Sequence, residues 1–322
     1  MKHDYTEFCI CPACRGSLTA SASSLQCATC SVRYEIRDGI PIFLPTYGDA
    51  ERSRYLCCYQ GLAQDDLAVP LEGRREARHS VLLDFVGDVR GKRVLDIGSS
   101  NGIYLRQLDA AFKVAFDLAW PFLAAIPKSE GMAPVCGDAE TLPFRPGFFD
   151  VIIISDILEH LLKPERLVEH LRTVCTDDTR LIVHVPWRED ISHYKQSKYE
   201  FAHLRSFGPY TFAQLWTDGF RIVKSKPTYP SLEEPILFHL EERVPTWLYS
   251  LLVRLYYHSA YLSQYEAQRR SVWIHEIPKR ERWLLRWYPA KFKMFELRRY
   301  HGSLTARLVD RLFFQSGMLK LH

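Results

Sequence analysis

Short apolar runs alternate with helix-length segments along the middle of the chain. Five runs have the length and composition of buried strands: KRVLDIG at 92–98, AFKVAFDLA at 111–119, FDVIIISD at 149–156, TRLIVHVP at 179–186 and GFRIVKSKP at 219–227. Such alternation is typical of βαβ units built around a parallel sheet. The pattern therefore predicts an α/β domain over residues 75–228 with a doubly wound, Rossmann-like parallel sheet.

The segments on either side of this domain have different patterns. Residues 1–45 form a short cysteine-rich module, and residues 46–74 contain Pro and Gly at intervals typical of a linker. After residue 228 the sequence is aromatic and basic with helical periodicity, which predicts a helical extension over residues 229–322. Residues 243–322 contain 15 Lys and Arg and 5 Asp and Glu, which gives this segment a net charge of +10. Because the net charge of the whole chain is +4, residues 1–242 have a net charge of −6.

The positive charge of the extension indicates which partners it can bind and says nothing about the fold. Arg and Lys interleaved with aromatic residues can bind RNA through phosphate contacts and stacking, or can lie on an anionic membrane surface. A helical cap with a packed aromatic core and solvated charges is the third interpretation. The chain has no run of eighteen apolar residues and no secretory signal, so we expect no transmembrane segment and a cytoplasmic protein.

Four cysteines near the N-terminus have the spacing of a metal site. Cys11 and Cys14 form one C-x-x-C pair, and Cys27 and Cys30 form another, with twelve residues between the pairs. Each pair can turn two thiolates toward one tetrahedral ion, and a short hairpin between the pairs suits a zinc ribbon. Because four Cys ligands leave no open position on the ion, the module predicts a structural zinc and not a catalytic one.

The first predicted strand of the main domain ends in a turn of small residues, VLDIGSSNG at 94–102. A Gly-rich turn at the carboxyl end of a parallel strand lets the backbone approach a ligand closely. Dinucleotide-binding turns have the spacing G-x-G-x-x-G, whereas this turn reads G-S-S-N-G and lacks the third glycine. The turn alone therefore leaves the class of cofactor open.

Five segments, taken in order, resemble the class I S-adenosylmethionine (SAM) methyltransferases, in particular their type 11-like branch. VLDIGSSNG resembles the V-L-D-x-G-x-G-x-G motif, AFDLAWPFL the end of the second strand, and GDAETLPFRPGFFDVIIISDILEHL the next two elements. RLIVHVP and FAHLRSFGPYTFAQLWTDGF resemble the fifth strand and the following helix. The resemblance implies a SAM cofactor. The residues that it assigns to cofactor binding are Asp96, Gly98, Ser99, Asn101, Gly102, Asp117, Leu118, Asp138, Ala139 and Ser155.

The resemblance also assigns roles to some of these positions. It implies that Asp117 accepts hydrogen bonds from both ribose hydroxyls and that Asp138 and Ala139 lie beside the adenine. Ser100 stands where the family has its middle glycine, and this departure predicts a more crowded turn.

The motif after the fourth strand bears on the methyl acceptor. It reads SDILEH and not Asn or Asp followed by Pro-Pro and an aromatic, which disfavours methylation of a nucleic-acid base amine. Asp156, Glu159 and His160 have D-x-x-E-H spacing, and at the start of a helix they would share one face that can hold a divalent cation. The resemblance is to the E-x-x-E-H arrangement of ubiquinone-biosynthesis O-methyltransferases and small-RNA 2′-O-methyltransferases.

This resemblance implies a catalytic group of His160, Glu159 and His203, with His160 as the general base. A second interpretation is that Glu159 pairs with the 203–205 loop and His160 packs at a helix start without a metal. Both interpretations stay open at this point.

Three functions are compatible with the sequence. The first is SAM-dependent methyl transfer to a hydroxyl of a small molecule, a glycan or a lipid-linked intermediate. The second is RNA methylation, because some rRNA guanine methyltransferases also place a zinc ribbon before this fold, and because the ribbon resembles the small zinc-binding activator of tRNA and translation-factor methyltransferases. The third is a non-catalytic scaffold with the same fold.

Overall fold

The structure is a computed structural model and describes residues 3–45, 50–68, 82–187, 201, 203–216, 219–228 and 292–299. Its strands are β1 (Leu18–Ala20), β2 (Ser24–Cys27), β3 (Arg33–Arg37), β4 (Ile40–Phe43), β5 (Arg93–Ile97), β6 (Phe112–Asp117), β7 (Ala133–Gly137), β8 (Val151–Ser155), β9 (Arg180–Pro186), β10 (Phe220–Thr228) and β11 (Phe292–Arg299). Its longer helices are α1 (Ala50–Ala68), α2 (Trp120–Ala124), α3 (Pro164–Val174) and α4 (Pro209–Trp216). Residues 82–86 are also helical.

The strands form one mixed sheet in the order β1-β2-β3-β4-β7-β6-β5-β8-β9-β11-β10. The central strands from β4 to β9 pair in parallel. The chain passes from β5 outward to β6 and β7, and then returns to the other side of β5 to form β8 and β9. The predicted doubly wound fold is confirmed, and its topological switch point lies between β5 and β8, where ligands bind in such sheets.

The central strands are buried on both faces. Leu95, Ile97 and Ile152 belong to one apolar cluster, while Val94 and Ile153 belong to the cluster on the opposite face. Successive side chains of a strand point to opposite faces, so a nearly continuous apolar run is what a sheet covered on both faces requires. This burial explains why these strands are recognisable in the sequence.

The cysteine module is joined to the main sheet. Strands β1 to β4 form successive antiparallel pairs, and β4 then pairs in parallel with β7, with Ile42 opposite Cys136 and Phe43 opposite Gly137. The module therefore covers the edge that β7 would otherwise expose, because an unpaired edge strand leaves backbone N–H and C=O groups without partners.

Two segments outside the predicted domain contain elements that the sequence did not predict. The predicted linker contains the 19-residue helix α1. In the predicted helical extension, residues 292–299 form strand β11, which pairs antiparallel with both β9 and β10. Met294, Phe295 and Leu297 have buried side chains on this strand, so the sheet includes residues beyond 228. The rest of the predicted extension, residues 229–291 and 300–322, lies outside the described residues.

Candidate functional site

The turn after β5 is tightly packed against the segment after β8. Gly98 has φ +79°, and a Cβ at this position would lie 2.0 Å from Cγ2 of Ile157, so only glycine fits. Ser100 has a left-handed backbone, with φ +50°. Its N–H donates to Oδ2 of Asp117 at 2.8 Å. This hydrogen bond holds the crowded turn in an unfavourable conformation.

Asp117 ends β6 beside this turn. Its Oδ1 accepts the N–H of Ala119 at 2.8 Å, and its Oδ2 accepts the N–H of Ser100. Burial raises the pKa of the Asp117 carboxyl to about 6, and the backbone N–H groups oppose that shift. Each carboxylate oxygen has a second lone pair, so both can accept a further hydrogen bond from a ligand.

A cavity of about 300 Å³ opens at the switch point between β5 and β8. Three carboxyl groups line it, those of Asp117, Asp138 and Asp156, while none of its described lining residues is Lys or Arg. Ser155 and His160 line the side formed by the segment after β8. Arg52 pairs with Asp138 from outside the lining, so Asp117 and Asp156 are the carboxyl groups that favour a ligand with positive charge and hydroxyl donors.

Helix α1 closes one side of this cavity. Tyr55, Tyr59 and Leu62 line it from the helix. The hydroxyl of Tyr59 donates to the carbonyl of Phe201 at 2.9 Å, and Nε2 of Gln60 donates to the carbonyl of Leu118 at 3.2 Å. The sequence prediction missed these residues, although their spacing of four and three positions is a helical pattern.

Arg52 fixes the start of α1 to the opposite wall of the cavity. Its Nη1 lies 3.3 Å from Oδ2 of Asp138, and its Nη2 donates to Oε2 of Glu140. Oδ1 of Asp138 accepts the N–H of Glu140, and Oε1 of Glu140 accepts the N–H of Lys163. These side chains form a charge network that connects α1 to the segment after β7.

Residues 156–160 form a turn and not the predicted helix start, since α3 begins at Pro164. The ligand atoms of Glu159, His160 and His203 nevertheless lie within 4.8 Å of one another. Asp156 is not part of this group, because its left-handed backbone, with φ +52°, directs its Oδ1 to within 3.0 Å of Nδ1 of His184. The group that the structure brings together thus differs from the predicted set in one member, with His203 in place of Asp156.

The loop that carries His203 is held mainly by backbone carbonyls of the same turn. The N–H of Leu204 donates to the carbonyl of Glu159 at 2.9 Å. The Arg205 guanidinium donates to three more carbonyls, those of Leu158, Leu161 and Leu162. The rings of His160 and His203 meet edge to face with centroids 4.7 Å apart. Of the three predicted catalytic residues, only His160 lines the cavity.

The four cysteines of the N-terminal module converge on one point. Sγ of Cys11 lies 3.6 Å from that of Cys30, and Sγ of Cys14 lies 3.4 Å from that of Cys27. Four thiolates at a Zn–S distance of about 2.3 Å would be about 3.8 Å apart, so the cluster fits a tetrahedral zinc. The N–H groups of Cys30 and Thr29 donate to Sγ of Cys27 and lower its pKa to about 6.

Residues 71–225 match the model of a family described as a methyltransferase domain. This match coincides with the doubly wound sheet and with the cavity at its switch point. Just under half of the chain is therefore similar to a methyltransferase domain. These residues have the fold of the class I methyltransferases, and a four-cysteine cluster precedes them in the chain. Both features were predicted from the sequence.

The chain is similar to one curated protein and to many solved methyltransferase structures. The biotin biosynthesis bifunctional protein BioHC of Cellvibrio japonicus is 33% identical over 107 residues, which are 32% of this chain and 21% of that protein. The chain thus spans only about a fifth of that relative. A chain from the complex between the Trm112 methyltransferase activator of Haloferax volcanii and a methyltransferase superposes with a TM-score of 0.50 at 13% identity, covering 80% of this chain and 100% of that one.

Phosphoethanolamine N-methyltransferase 2 of Haemonchus contortus in complex with S-adenosyl-L-methionine superposes with a TM-score of 0.46 at 16% identity, covering 70% of this chain and 52% of that one. At these identities the likeness concerns the fold. None of the helices in the described ranges is long and apolar enough to cross a membrane.

Most residues predicted for the cofactor line the cavity: Gly98, Ser99, Asp117, Leu118, Asp138, Ala139 and Ser155. Asp96, Asn101 and Gly102 do not line it. Asp96 is 1% exposed, and neither of its carboxyl oxygens has a hydrogen-bond partner among the described residues. Burial, and then the charge of Asp117, raise the pKa of Asp96 to about 8.

Proposed function

We propose that the protein transfers the methyl group of SAM to a hydroxyl of a small molecule, a glycan or a lipid-linked intermediate. The observation that supports this most directly is the charge of the cavity. SAM carries a sulfonium, an ammonium and one carboxylate, a net positive charge. The lining offers three carboxyl groups, of which Asp138 is paired with Arg52, and no Lys or Arg among its described residues. The pyrophosphate of a dinucleotide would be repelled by the same lining.

We assign the cavity residues to the ribose, the adenine and the methionine part of SAM as the resemblance implies. Asp117 would accept hydrogen bonds from the ribose hydroxyls, with Asp138 and Ala139 beside the adenine. Gly98 and Ser99 would let the backbone approach the methionine part. Tyr55 and Tyr59 would cover the cofactor and exclude water, since they line the cavity from α1.

The acceptor side requires a hydroxyl held in line with the methyl group and a group that takes its proton. His160 lines the cavity and is the candidate for that base, with ligand atoms of Glu159 and His203 within 4.8 Å. When bound, SAM would supply an electrophilic methyl group with a neutral thioether as its leaving group, and the imidazole of His160 would take the proton of the acceptor hydroxyl. Glu159, His160 and His203 could instead hold a divalent cation, which would lower the pKa of the acceptor hydroxyl.

The four-cysteine module is proposed to hold a structural zinc. Thiolates arranged for a metal favour a reducing compartment, which supports the cytoplasm as the location. In the Haloferax volcanii complex the activator and the methyltransferase are separate molecules, and the ribbon of this chain is proposed to serve as an activator in cis. RNA and anionic membranes remain candidate partners of the basic segment 243–322, most of which lies outside the described residues.

Calorimetric titration with SAM tests the cofactor assignment. Asp117→Ala should weaken SAM binding by at least about 100-fold, because it removes a charged acceptor of two hydroxyl donors. The matched control is Asp109→Ala, which removes an exposed carboxylate away from the cavity and should bind like the wild type. Retained affinity in Asp117→Ala would contradict the placement, and a wild-type protein that does not bind SAM would favour the scaffold alternative.

The acceptor class can be assigned by incubation with methyl-labelled SAM and separate polar-metabolite, lipid and RNA extracts. Label in the first two extracts would support the proposal. Label in RNA, with binding that weakens steeply as salt rises, would support the RNA methyltransferase instead.

A further inference from the structure

Arg15 connects the cysteine cluster to the wall of the cofactor cavity. It follows Cys14 directly, has a left-handed backbone with φ +64°, and donates its N–H to the carbonyl of Cys11 at 2.8 Å. Its Nη1 donates to the carbonyl of Leu142 and its Nη2 to that of Phe144, both at 2.8 Å. The position of the guanidinium is thus set by the fold of the first cysteine pair.

The first cysteine pair and the residues before it hold the same segment through backbone hydrogen bonds. The N–H of Ile10 donates to the carbonyl of Pro143 at 2.8 Å, and the N–H of Arg145 donates to the carbonyl of Phe8 at 2.9 Å. Together with the two bonds from Arg15, these contacts fix residues 142–145 against the module.

Residues 142–145 continue directly from the cavity wall. Asp138 and Ala139 line the cavity, and the 3₁₀ turn Ala139–Thr141 leads into Leu142. Strand β4 of the module reaches the same wall from the other direction, because Phe43 pairs with Gly137, which also lines the cavity. Residues 137–139 are therefore held between two contacts of the cysteine module.

We propose that metal binding by the four cysteines and SAM binding in the cavity are thermodynamically coupled, with Arg15 as the positioning residue that connects the two sites. The inference rests on the proposed SAM-binding function and on the proposed structural zinc. When the metal is absent, the first cysteine pair no longer fixes Arg15, and the wall at 137–139 must be ordered by the cofactor itself. Such a coupling is reciprocal, so SAM must also tighten metal binding.

The test uses the full chain loaded with zinc, in the wild type, Arg15→Ala and Arg33→Ala. All four cysteines remain in both variants, and Arg33 is an exposed arginine of the same module. SAM affinity is measured by calorimetry, zinc content by a colorimetric chelator, and folding by circular dichroism. We expect Arg15→Ala to keep its zinc and to bind SAM about tenfold more weakly, and Arg33→Ala to stay within about twofold of the wild type.

An Arg15→Ala protein that binds SAM as tightly as Arg33→Ala would overturn the role of Arg15. A second measurement needs no variant: the affinity of the wild type for zinc, measured by chelator competition with and without saturating SAM. We expect SAM to tighten zinc binding by about tenfold, matching the factor by which zinc tightens SAM binding. Equal zinc affinities would overturn the coupling while leaving the proposed function intact, whereas a zinc-loaded wild type that binds no SAM would overturn both.

Discussion

Removal of the Arg52 side chain tests whether charge pairing holds α1 over the cavity. The side chains of Asp138 and Glu140 are 4% and 2% exposed, and that of Arg52 is 13% exposed. Removing one partner from such a buried network costs about 3–5 kcal/mol, because it leaves buried charge without compensation. Oε1 of Glu140 keeps the N–H of Lys163 in the variant, so we expect Arg52→Ala to lose about 3 kcal/mol, near the lower end.

The loss should depend on pH in a defined direction. Burial raises the pKa of Glu140, and Arg52 opposes that shift. Without Arg52 the pKa rises further, so the folded variant holds its proton over a range in which the unfolded chain has lost it. Its stability must then fall as pH rises through that range, and the deficit relative to the wild type should be larger at about pH 8 than at about pH 5.

Urea unfolding followed by circular dichroism measures this effect, and SAM titration shows whether the cavity is affected. Arg54→Ala is the matched control, since Arg54 lies exposed on the same helix and its removal should change stability by no more than about 0.5 kcal/mol. Adding Glu140→Gln to Arg52→Ala should restore part of the loss, because it removes the uncompensated carboxylate. A loss equal to that of Arg54→Ala, or a deficit that does not change with pH, would refute the reasoning.

Three further predictions follow from the residues around the turn. The pKa of Asp117 is about 6, and its ionised form accepts the ribose hydroxyls. Below about pH 6, SAM affinity should therefore rise by up to about tenfold per pH unit, and above about pH 6 it should level off. Calorimetry that finds no such rise would contradict this prediction. The buried carboxyl of Asp96 has a raised pKa of about 8, so the wild type loses stability as pH rises from about 4 to 8. Asp96→Asn should therefore become more stable relative to the wild type over that range. A difference in the free energy of unfolding by urea that stays constant with pH would exclude this prediction. Gly98→Ala should destabilise by about 2 kcal/mol more than Gly91→Ala, since both glycines have positive φ but only Gly98 lacks space for a Cβ; thermal or urea unfolding compares them.

The sequence by itself determined the sheet and the cysteine cluster. A strand buried on both faces needs a nearly continuous apolar run, and Ile152, Ile153 and Ile154 form one that local composition makes visible. The turn residues after β5 and the acidic residue at the end of β6 are likewise local features. Two C-x-x-C pairs fix their ligands by spacing alone, since each pair needs only one tight turn.

Only the tertiary structure decided what each of the less regular segments packs against. An eight-residue segment of four apolar and four charged residues is compatible with helix or strand, and β11 is a strand because β9 and β10 offer unpaired edges from distant parts of the chain. Helix α1 was overlooked because the Gly and Pro residues in and around it are typical of a linker, and the importance of its lining residues comes from the cavity beneath them. Asp156 lies apart from Glu159 and His160 because its own left-handed backbone turns its side chain toward His184. Local pattern encodes which side chains are buried, whereas long-range pairing and single backbone turns select their partners.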